Sequence, residues 1–543
     1  MPSGETPPDA TRAQAREERL NTRAAGVVGI AVLCSRVLGL AREQIFAALF
    51  GGGRVMDAFT IAFRIPNLLR DLFAEGALST AFVTVFARTA TVHGEAAAWR
   101  LANKVATLAV LTLSAITVLG ILSAPWLVAA LAPGFDPSKA ELTVTLTRVM
   151  YPFILLVSLA ALVMGMLNAR NVFGVPAMAS SFFNLGSIIA GVVLGYWLDP
   201  HFGAHAILGL AIGTLVGGAL QLLVQLPSLR RQGYHFHPDF GWRDPGVRSI
   251  LRLMGPSVIA ASTTQVNVLV NSVFASELGD GPTFWLTVAF RLMQLPLGVF
   301  GVALGTVALP LLARMAASNN MPVFRSELAR GMRLAFLMTI PASVGLIVLA
   351  EPIISVLYQH GRFGAYETAE SAGALRYYAI GLCGYAALKV LVNAFYALDR
   401  RKTPMVVSFI AVALNLALNF IFTRELGWGH RGLALSTACV ATSNFLILYF
   451  LMRAHLGRLE SRALGRLLAR VGLASVALLV IAWAGGHYLL DDWATQAFWP
   501  KCLRLFAVIV VSATAFFACA NALGIREVHD LVAAVRRRLM RRR

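Results

Sequence analysis

Eight ionised side chains sit inside stretches of sequence that are otherwise apolar. Arg36 and Arg42 fall in Ser35-Arg36-Val37-Leu38-Gly39-Leu40-Ala41-Arg42. Asp57, Arg64, Arg70, Asp71 and Glu75 follow in the next apolar run, where Pro66 is expected to interrupt the helix, and Arg291 stands alone much later. An arginine at mid-bilayer costs roughly 2.5 to 3.5 kcal/mol on insertion scales, so these groups must face water or one another rather than lipid. At about 100° per residue, Asp57, Arg64 and Glu75 fall within about 20° of one direction and Asp71 about 40° away. One helix thus carries a charged stripe, with Arg70 on a different face. Two chemistries fit. The first is structural: salt bridges, or arginines snorkelling to an interface. The second is anion recognition. Arginines outnumber the acids left to neutralise them if Asp71 and Glu75 lie near the rim, and the planar, permanently charged guanidinium is the preferred partner of phosphate. A basic cavity between helix bundles points to an anionic, phosphorylated substrate.

The elements that must position these residues are membrane helices. The chain has 543 residues, 57% hydrophobic and 14% charged, with a mean hydropathy of +0.70. A soluble chain of this size needs roughly a quarter of its residues charged. Fourteen apolar runs of about 20 residues or more lie between residues 24 and 524. The net charge of +20 follows them in alternation. One side collects Arg12, Arg16, Arg19 and Arg23, then Arg88, Arg100 and Lys104, Arg170, Arg230 to Arg252, Arg314 to Arg333, Arg400 to Lys402, Arg453 to Arg470, and the arginine-rich C-terminus. The loops around Asp199 and around Glu277 and Asp280 have no cation. Positive loops stay in the cytoplasm, so both termini are expected there, and the basic excess reflects topology rather than nucleic-acid binding.

The halves of the chain repeat. Ala62-Phe63-Arg64 recurs as Ala289-Phe290-Arg291, with Thr80 matched by Thr306 and Ala87-Arg88 by Ala313-Arg314. Gly209-Leu210-Ala211 with Thr214 recurs as Gly432-Leu433-Ala434 with Thr437, and Pro176 as Pro404. The shift is about 223 to 228 residues, six runs apart, which gives parallel copies about an axis along the membrane normal. The fold class is an all-α integral membrane protein of about 14 transmembrane helices, in two pseudo-symmetric six-helix lobes plus two C-terminal helices. The boundaries read as a disordered cytoplasmic tail over 1–23, an N-lobe over 24–227, a basic linker over 228–248, and a C-lobe over 249–455. Two further helices over 464–524 and a basic tail over 525–543 complete the chain. Gly51-Gly52-Gly53 and Pro296 are hinge candidates.

Little supports enzymatic chemistry. The five cysteines have neither CxxC spacing nor histidine neighbours and read as small apolar fillers. His93, His360, His430 and His487 are isolated and expected to be solvated. Asp491-Asp492 is the only adjacent acidic pair in the membrane region and lies in an outward loop, whereas polyprenyl-phosphate enzymes need clustered carboxylates or a histidine base.

Several motifs together resemble those of the MurJ (MviN) lipid II flippases of the MOP exporter superfamily. They are Ser35-Arg36-Val37-Leu38-Gly39 with Arg42; Asp57-Ala58-Phe59; Arg64-Ile65-Pro66-Asn67-Leu68-Leu69-Arg70; and Phe73-Ala74-Glu75-Gly76-Ala77. Further matches are Arg291-Leu292-Met293, Gln359-His360-Gly361-Arg362-Phe363 and Lys402-Thr403-Pro404, so that the likeness covers residues 24 to 520. The resemblance implies a cavity between N-lobe and C-lobe, alternating access, and transfer of lipid II, an undecaprenyl-diphosphate-linked disaccharide-peptide, to the outer leaflet of the bacterial inner membrane for peptidoglycan synthesis. It implies that Arg36, Arg42, Arg70 and Arg291 meet the diphosphate, that Asp57 and Glu75 are functional acids, and that the last two helices border a groove for the polyprenyl tail. Arg64 joins this set through the stripe it shares with Asp57. Expected partners are lipid II, membrane lipids and proteins of cell-wall synthesis.

The chain also departs from the family pattern. Where some members have an acid before the arginine of the eighth run, Phe290 stands here, and Asp71 replaces a basic residue that often follows Arg70. Some members have a sodium site between the seventh and eleventh runs; the matching positions here, Asn271, Asn415 and Asn419, are neutral. They are read either as amide ligands of a cation or as polar glue between helices. No cofactor is expected, and coupling to membrane potential or to a monovalent cation stays open. The rival readings are another exporter of the superfamily, for polysaccharide-lipid or drug, which would lack the second-run motif, and a non-transporting scaffold of cell-wall synthesis.

Overall fold

Long apolar runs in lipid satisfy their backbone only as helices, and every regular element among the described residues is helical. The structure is a computed structural model that describes residues 8–71, 78–457, 459–490 and 498–529. Each of the fourteen apolar runs holds a helix or two consecutive helices. Among the described residues nine helical segments are long and apolar enough to cross a membrane, or ten with the pair Ala365–Ile380 and Leu382–Ala397, which bends by 43° at Gly381. A Cβ on Gly381 would lie 2.6 Å from the Cα of Ala438, so glycine lets the bend press against a neighbouring backbone.

The chain divides into two units. Unit 1 comprises residues 1–50, 58–130 and 136–265. It contains α1 (Pro8–Phe50), α2 (Arg54–Arg70) beyond its first turn, α3 (Ser79–His93), α4 (Glu95–Leu131), α5 (Pro137–Met150), α6 (Phe153–Ala169), α7 (Gly174–Leu198), α8 (Ile207–Leu223), α9 (Leu226–Arg231) and the first part of α10 (Pro245–Ser276). The segment expected to be a disordered tail is helical from Pro8 onward, since its Ala, Arg, Gln and Glu are strong helix formers. Pro66 does not end α2 either: the helix runs on to Arg70. The core of this unit joins α3, α4 and α6 through Phe82, Phe86, Leu101, Leu162 and Met166. Trp99 bridges it to Tyr234, whose phenol burial pushes up to about 12.

Unit 2 comprises residues 51–57, 131–135 and 266–543. After the rest of α10 come α11 (Pro282–Ala317), α12 (Met321–Val348), α13 (Ala350–Tyr358), α14 (Ala365–Ile380) and α15 (Leu382–Ala397). They are followed by α16 (Lys402–Phe420) with a π-helical turn at Ile421–Glu425, α17 (Gly429–Leu456), α18 (Ser461–Leu489) and α19 (Phe498–Ala522). The last two helices pack through Val471, Leu478, Leu505 and Phe516 into a core shared with Leu337 of α12. Two of the three glycines of the hinge candidate are closely fitted. Gly51 has φ +76°, and a Cβ on Gly52 would lie 2.9 Å from both Phe363 and Glu367.

Candidate functional site

In unit 1 the arginines are set by aromatic rings and by a neighbouring acid. Arg42 is half-buried, with its guanidinium carbon 4.9 Å from the ring centre of Phe183 on α7 and 6.0 Å from that of Phe63 on α2. Phe63 and Phe183 both pack on Phe153 of α6 at 5.4 Å, so three helices fix this platform. At these distances the guanidinium charge is attracted by the ring quadrupoles. Glu43, which the sequence reading overlooked although it directly follows Arg42, is buried in the same turn. Arg36 is exposed one and a half turns earlier. Its turn is held by Asn184 of α7, whose amide donates to the Ser35 carbonyl at 3.1 Å.

Arg64 is half-buried on α2. Arg70 folds back on its neighbour, with Nε and Nη2 donating to Asp71 Oδ1 at 3.2 and 2.9 Å. Asp71 Oδ2 accepts from Gln265 of α10 at 3.3 Å. The departure noted at position 71 therefore has a consequence: Arg70 is hydrogen-bonded through Nε and Nη2 to the acid next to it in sequence. Glu75 and the Asp491-Asp492 pair lie outside the described residues.

Asp57 belongs to unit 2. Its carboxylate is fully buried, with Oδ2 accepting from the Gly281 N–H at 2.6 Å and Oδ1 from the Phe284 N–H at 2.8 Å. It caps the N-terminus of α11, where the helix dipole favours an anion. Gly281 has φ +110°, and a Cβ there would strike the Trp285 ring at 2.1 Å, so this cap needs glycine. The sequence paired Asp57 with Arg64 by phase; the capping partner, 224 residues away, leaves no local signal. Arg291, ten residues into the same helix, is half-buried, and the preceding Phe290 packs edge-on against Tyr378 of α14 at 5.3 Å. His430, expected to be solvated, is buried. Its Nε2 lies 3.1 Å from the Glu370 carbonyl oxygen and its ring sits edge-on to Trp285 at 5.2 Å.

The three asparagines come together, also in unit 2. Asn415 Nδ2 donates to Asn271 Oδ1 at 3.0 Å and to Asn267 Oδ1 at 3.1 Å, and Asn419 Nδ2 donates to Asn271 Oδ1 at 2.8 Å. Asn271 Nδ2 in turn donates to Thr437 Oγ1 at 3.0 Å. The Ser436 hydroxyl lies within hydrogen-bond reach of Asn419 Oδ1 and of Asn415 Oδ1. Asn267, Ser436 and Thr437 were missed, although Asn267 lies four residues before Asn271 on one helix face, as Asn415 does before Asn419. A hard cation binds where several oxygens, usually including carboxylates, converge on one point. Here the Asn267 and Asn271 oxygens face amide N–H donors, the oxygens of Asn415 and Asn419 compete with the Leu433 carbonyl for the one Ser436 hydroxyl, and the cluster has no carboxylate, so it lacks the charge a sodium ion usually meets.

Comparison with known proteins bears on all of this. The family description that matches is "Lipid II flippase MurJ", over residues 46–503. A lipid II flippase MurJ from Burkholderia cenocepacia is 36% identical over 493 residues, spanning 88% of this chain and 93% of that protein. A solved structure of a lipid II flippase MurJ in an inward closed conformation superposes with a TM-score of 0.73 at 26% identity, over 90% of this chain and 98% of the other. An inward-facing MATE family multidrug resistance transporter of the MOP superfamily superposes with a TM-score of 0.65 at 16% identity, over 79% of this chain and 96% of the other, a likeness of fold alone.

Proposed function

The chain belongs to the lipid II flippase MurJ family, and from that premise we propose that it carries lipid II from the cytoplasmic to the outer leaflet by alternating access, with Arg36, Arg42 and Arg291 meeting the diphosphate. It is a multi-pass membrane transporter and not an enzyme. The observation that supports the assignment of residues is Arg42: a half-buried guanidinium in an apolar helix, its carbon 4.9 Å from the Phe183 ring centre and 6.0 Å from that of Phe63. Such a group offers planar donors in a low-dielectric setting, where a phosphate oxygen gains most from them. Arg70, with Asp71 beside it, contributes less to the net positive charge. Asp57 acts as a positioning residue that ties the first turn of α2 to the helix bearing Arg291. Both termini face the cytoplasm in this reading, supported by the alternation of basic loops.

The test is leaflet accessibility of lipid II in proteoliposomes. Arg42→Ala, Arg36→Ala and Arg291→Ala are each expected to lower flipping at least about tenfold, since each removes more than about 1.4 kcal/mol of anion stabilisation. Insertion and yield should be unchanged, and Lys should restore little because it lacks the planar fork. In the same vesicles, impermeant thiol labelling of Asp199→Cys and Arg231→Cys from opposite faces fixes the direction. Full flipping by Arg42→Ala at equal yield would overturn the assignment.

A further inference from the structure

We propose that Asn267, Asn271, Asn415 and Asn419 form a neutral amide lock that holds α10 to α16 and α17 without an ion, so that the transport cycle of this chain takes up no monovalent cation there. The bonding pattern carries the inference. Asn271 Oδ1 receives two N–H groups, from Asn415 and Asn419, and its own amide nitrogen is spent on Thr437. Asn267 Oδ1 receives the second donor of Asn415, and the oxygens of Asn415 and Asn419 face Ser436. Asn415, Asn419 and Ser436 are buried, at 2% exposure or less. For a cation to enter, at least two amide groups would have to turn their oxygens inward. That would break the bonds that tie three helices, with no carboxylate in the cluster to offset the dehydration of the ion. As it stands the cluster already does the mechanical work of an ion: it joins α10, α16 and α17 at a single point.

The full-length protein tests this without reference to lipid II, by its unfolding temperature in detergent with sodium, potassium or choline chloride at equal ionic strength. A ligand that binds only the folded state stabilises it by RT ln(1 + L/Kd), with L the free ligand concentration, and so raises that temperature; the lock therefore predicts agreement among the three salts to within about 1 °C. Asn271→Ala is expected to lower the temperature equally in sodium and in choline. The double substitution Asn271→Asp with Asn419→Asp, which supplies the missing charge, is expected to unfold earlier in choline and to recover selectively in sodium. A sodium-specific rise in the unmodified protein, or a loss in Asn271→Ala confined to sodium, would overturn the proposal. The Asn271→Ala arm decides the matter even if the double acid variant fails to fold.

Discussion

The α7–α8 pair of unit 1 and the α16–α17 pair of unit 2 are two copies of one duplicated helix pair, and their seams are closed by opposite means. The shift of 228 that relates Pro176 to Pro404 also takes Ser187 to Asn415 and Gly191 to Asn419, and the shift of 223 that relates Gly209 to Gly432 takes Gly213 to Ser436. In unit 1 backbone meets backbone at the seam glycines: a Cβ on Gly209 would lie 2.2 Å from the Gly195 nitrogen, and one on Gly213 would lie 2.5 Å from the Gly191 nitrogen. In unit 2 the same positions carry Asn419 and Ser436, hydrogen-bonded to each other. Helices in lipid gain no hydrophobic drive toward one another, so close packing of small residues and interhelical hydrogen bonds are the two ways left to hold them. The two copies share a glycine, Gly209 in one and Gly432 in the other, and they part where Gly191 and Gly213 correspond to Asn419 and Ser436. The amide copy reaches a third helix through the seam itself, since its donors also meet α10, whereas α7 reaches α1 through Asn184, one turn before Ser187.

The comparison breaks most visibly at position 213. Gly213→Leu must drive side-chain atoms into the α7 backbone, which cannot yield as a side chain does, and is expected to cost more than about 3 kcal/mol or abolish folding. Ser436→Ala, the matching position in unit 2, removes one hydroxyl and is expected to cost about 1 kcal/mol. Yield of monodisperse protein and unfolding temperature in detergent measure both. Equal losses at the two positions would mean that the seams are not built differently after all.

A smaller effect sharpens the unit 2 half. Asn419→Ala removes one donor to Asn271 and the acceptor facing Ser436, and with interhelical bonds in lipid averaging about 0.6 kcal/mol each it is expected to cost about 1 to 2 kcal/mol. Because Asn419 and Ser436 share one bond, Asn419→Ala combined with Ser436→Ala should cost less than the two singles together. Strict additivity would show that the hydroxyl serves its own helix, through the Leu433 carbonyl at 2.9 Å, rather than the seam.

These seams also mark what the sequence could and could not reveal. Apolar length placed a helix in each of the fourteen runs, since hydropathy is a local property, and nine or ten segments among the described residues are long and apolar enough to cross a membrane. The repeat could be read from Thr214 and Thr437, and each does the same local thing, bonding the carbonyl four residues back at 2.9 Å. Arg42 was legible because an arginine in an apolar run has few innocent explanations. The Phe183 and Phe63 platform beneath it was not, because phenylalanine in a membrane helix is unremarkable until its neighbours are known. Asp57 was found, but its two capping bonds were not: helical phase offers only partners on the same helix, while the α11 N-terminus is brought to it by the fold. The burial of His430 was missed for the same reason, its partners Glu370 and Trp285 lying on other helices.

The contrast between the two seams belongs to lipid, and where unit 1 meets water it should disappear. The segment after α9 is tied to α4 by polar groups: Asn103 bonds the backbone of His235 and His237, Thr107 Oγ1 accepts from the Asp239 N–H at 3.0 Å, and Lys104 Nζ lies 2.7 Å from Asp244 Oδ2. Asp244 also caps α10, its Oδ1 accepting from the Gly246 N–H at 2.8 Å. Burial alone would raise its pKa, but the Lys104 hydrogen bond and charge with the Gly246 and Val247 N–H groups outweigh it and hold the carboxyl below the usual range. A carboxyl depressed in the folded state adds stability above its unfolded pKa, near 3.9, and loses it as pH falls through the lower folded value. Asp244→Asn removes that contribution, so the unmodified protein should unfold above the variant at pH 7, by the equivalent of about 1 kcal/mol for a partly exposed pair and cap. The gap should stay nearly level down to about pH 4, then close, and narrow with added salt. A gap that widened on acidification would reverse the sign and assign the tie to another group in the loop.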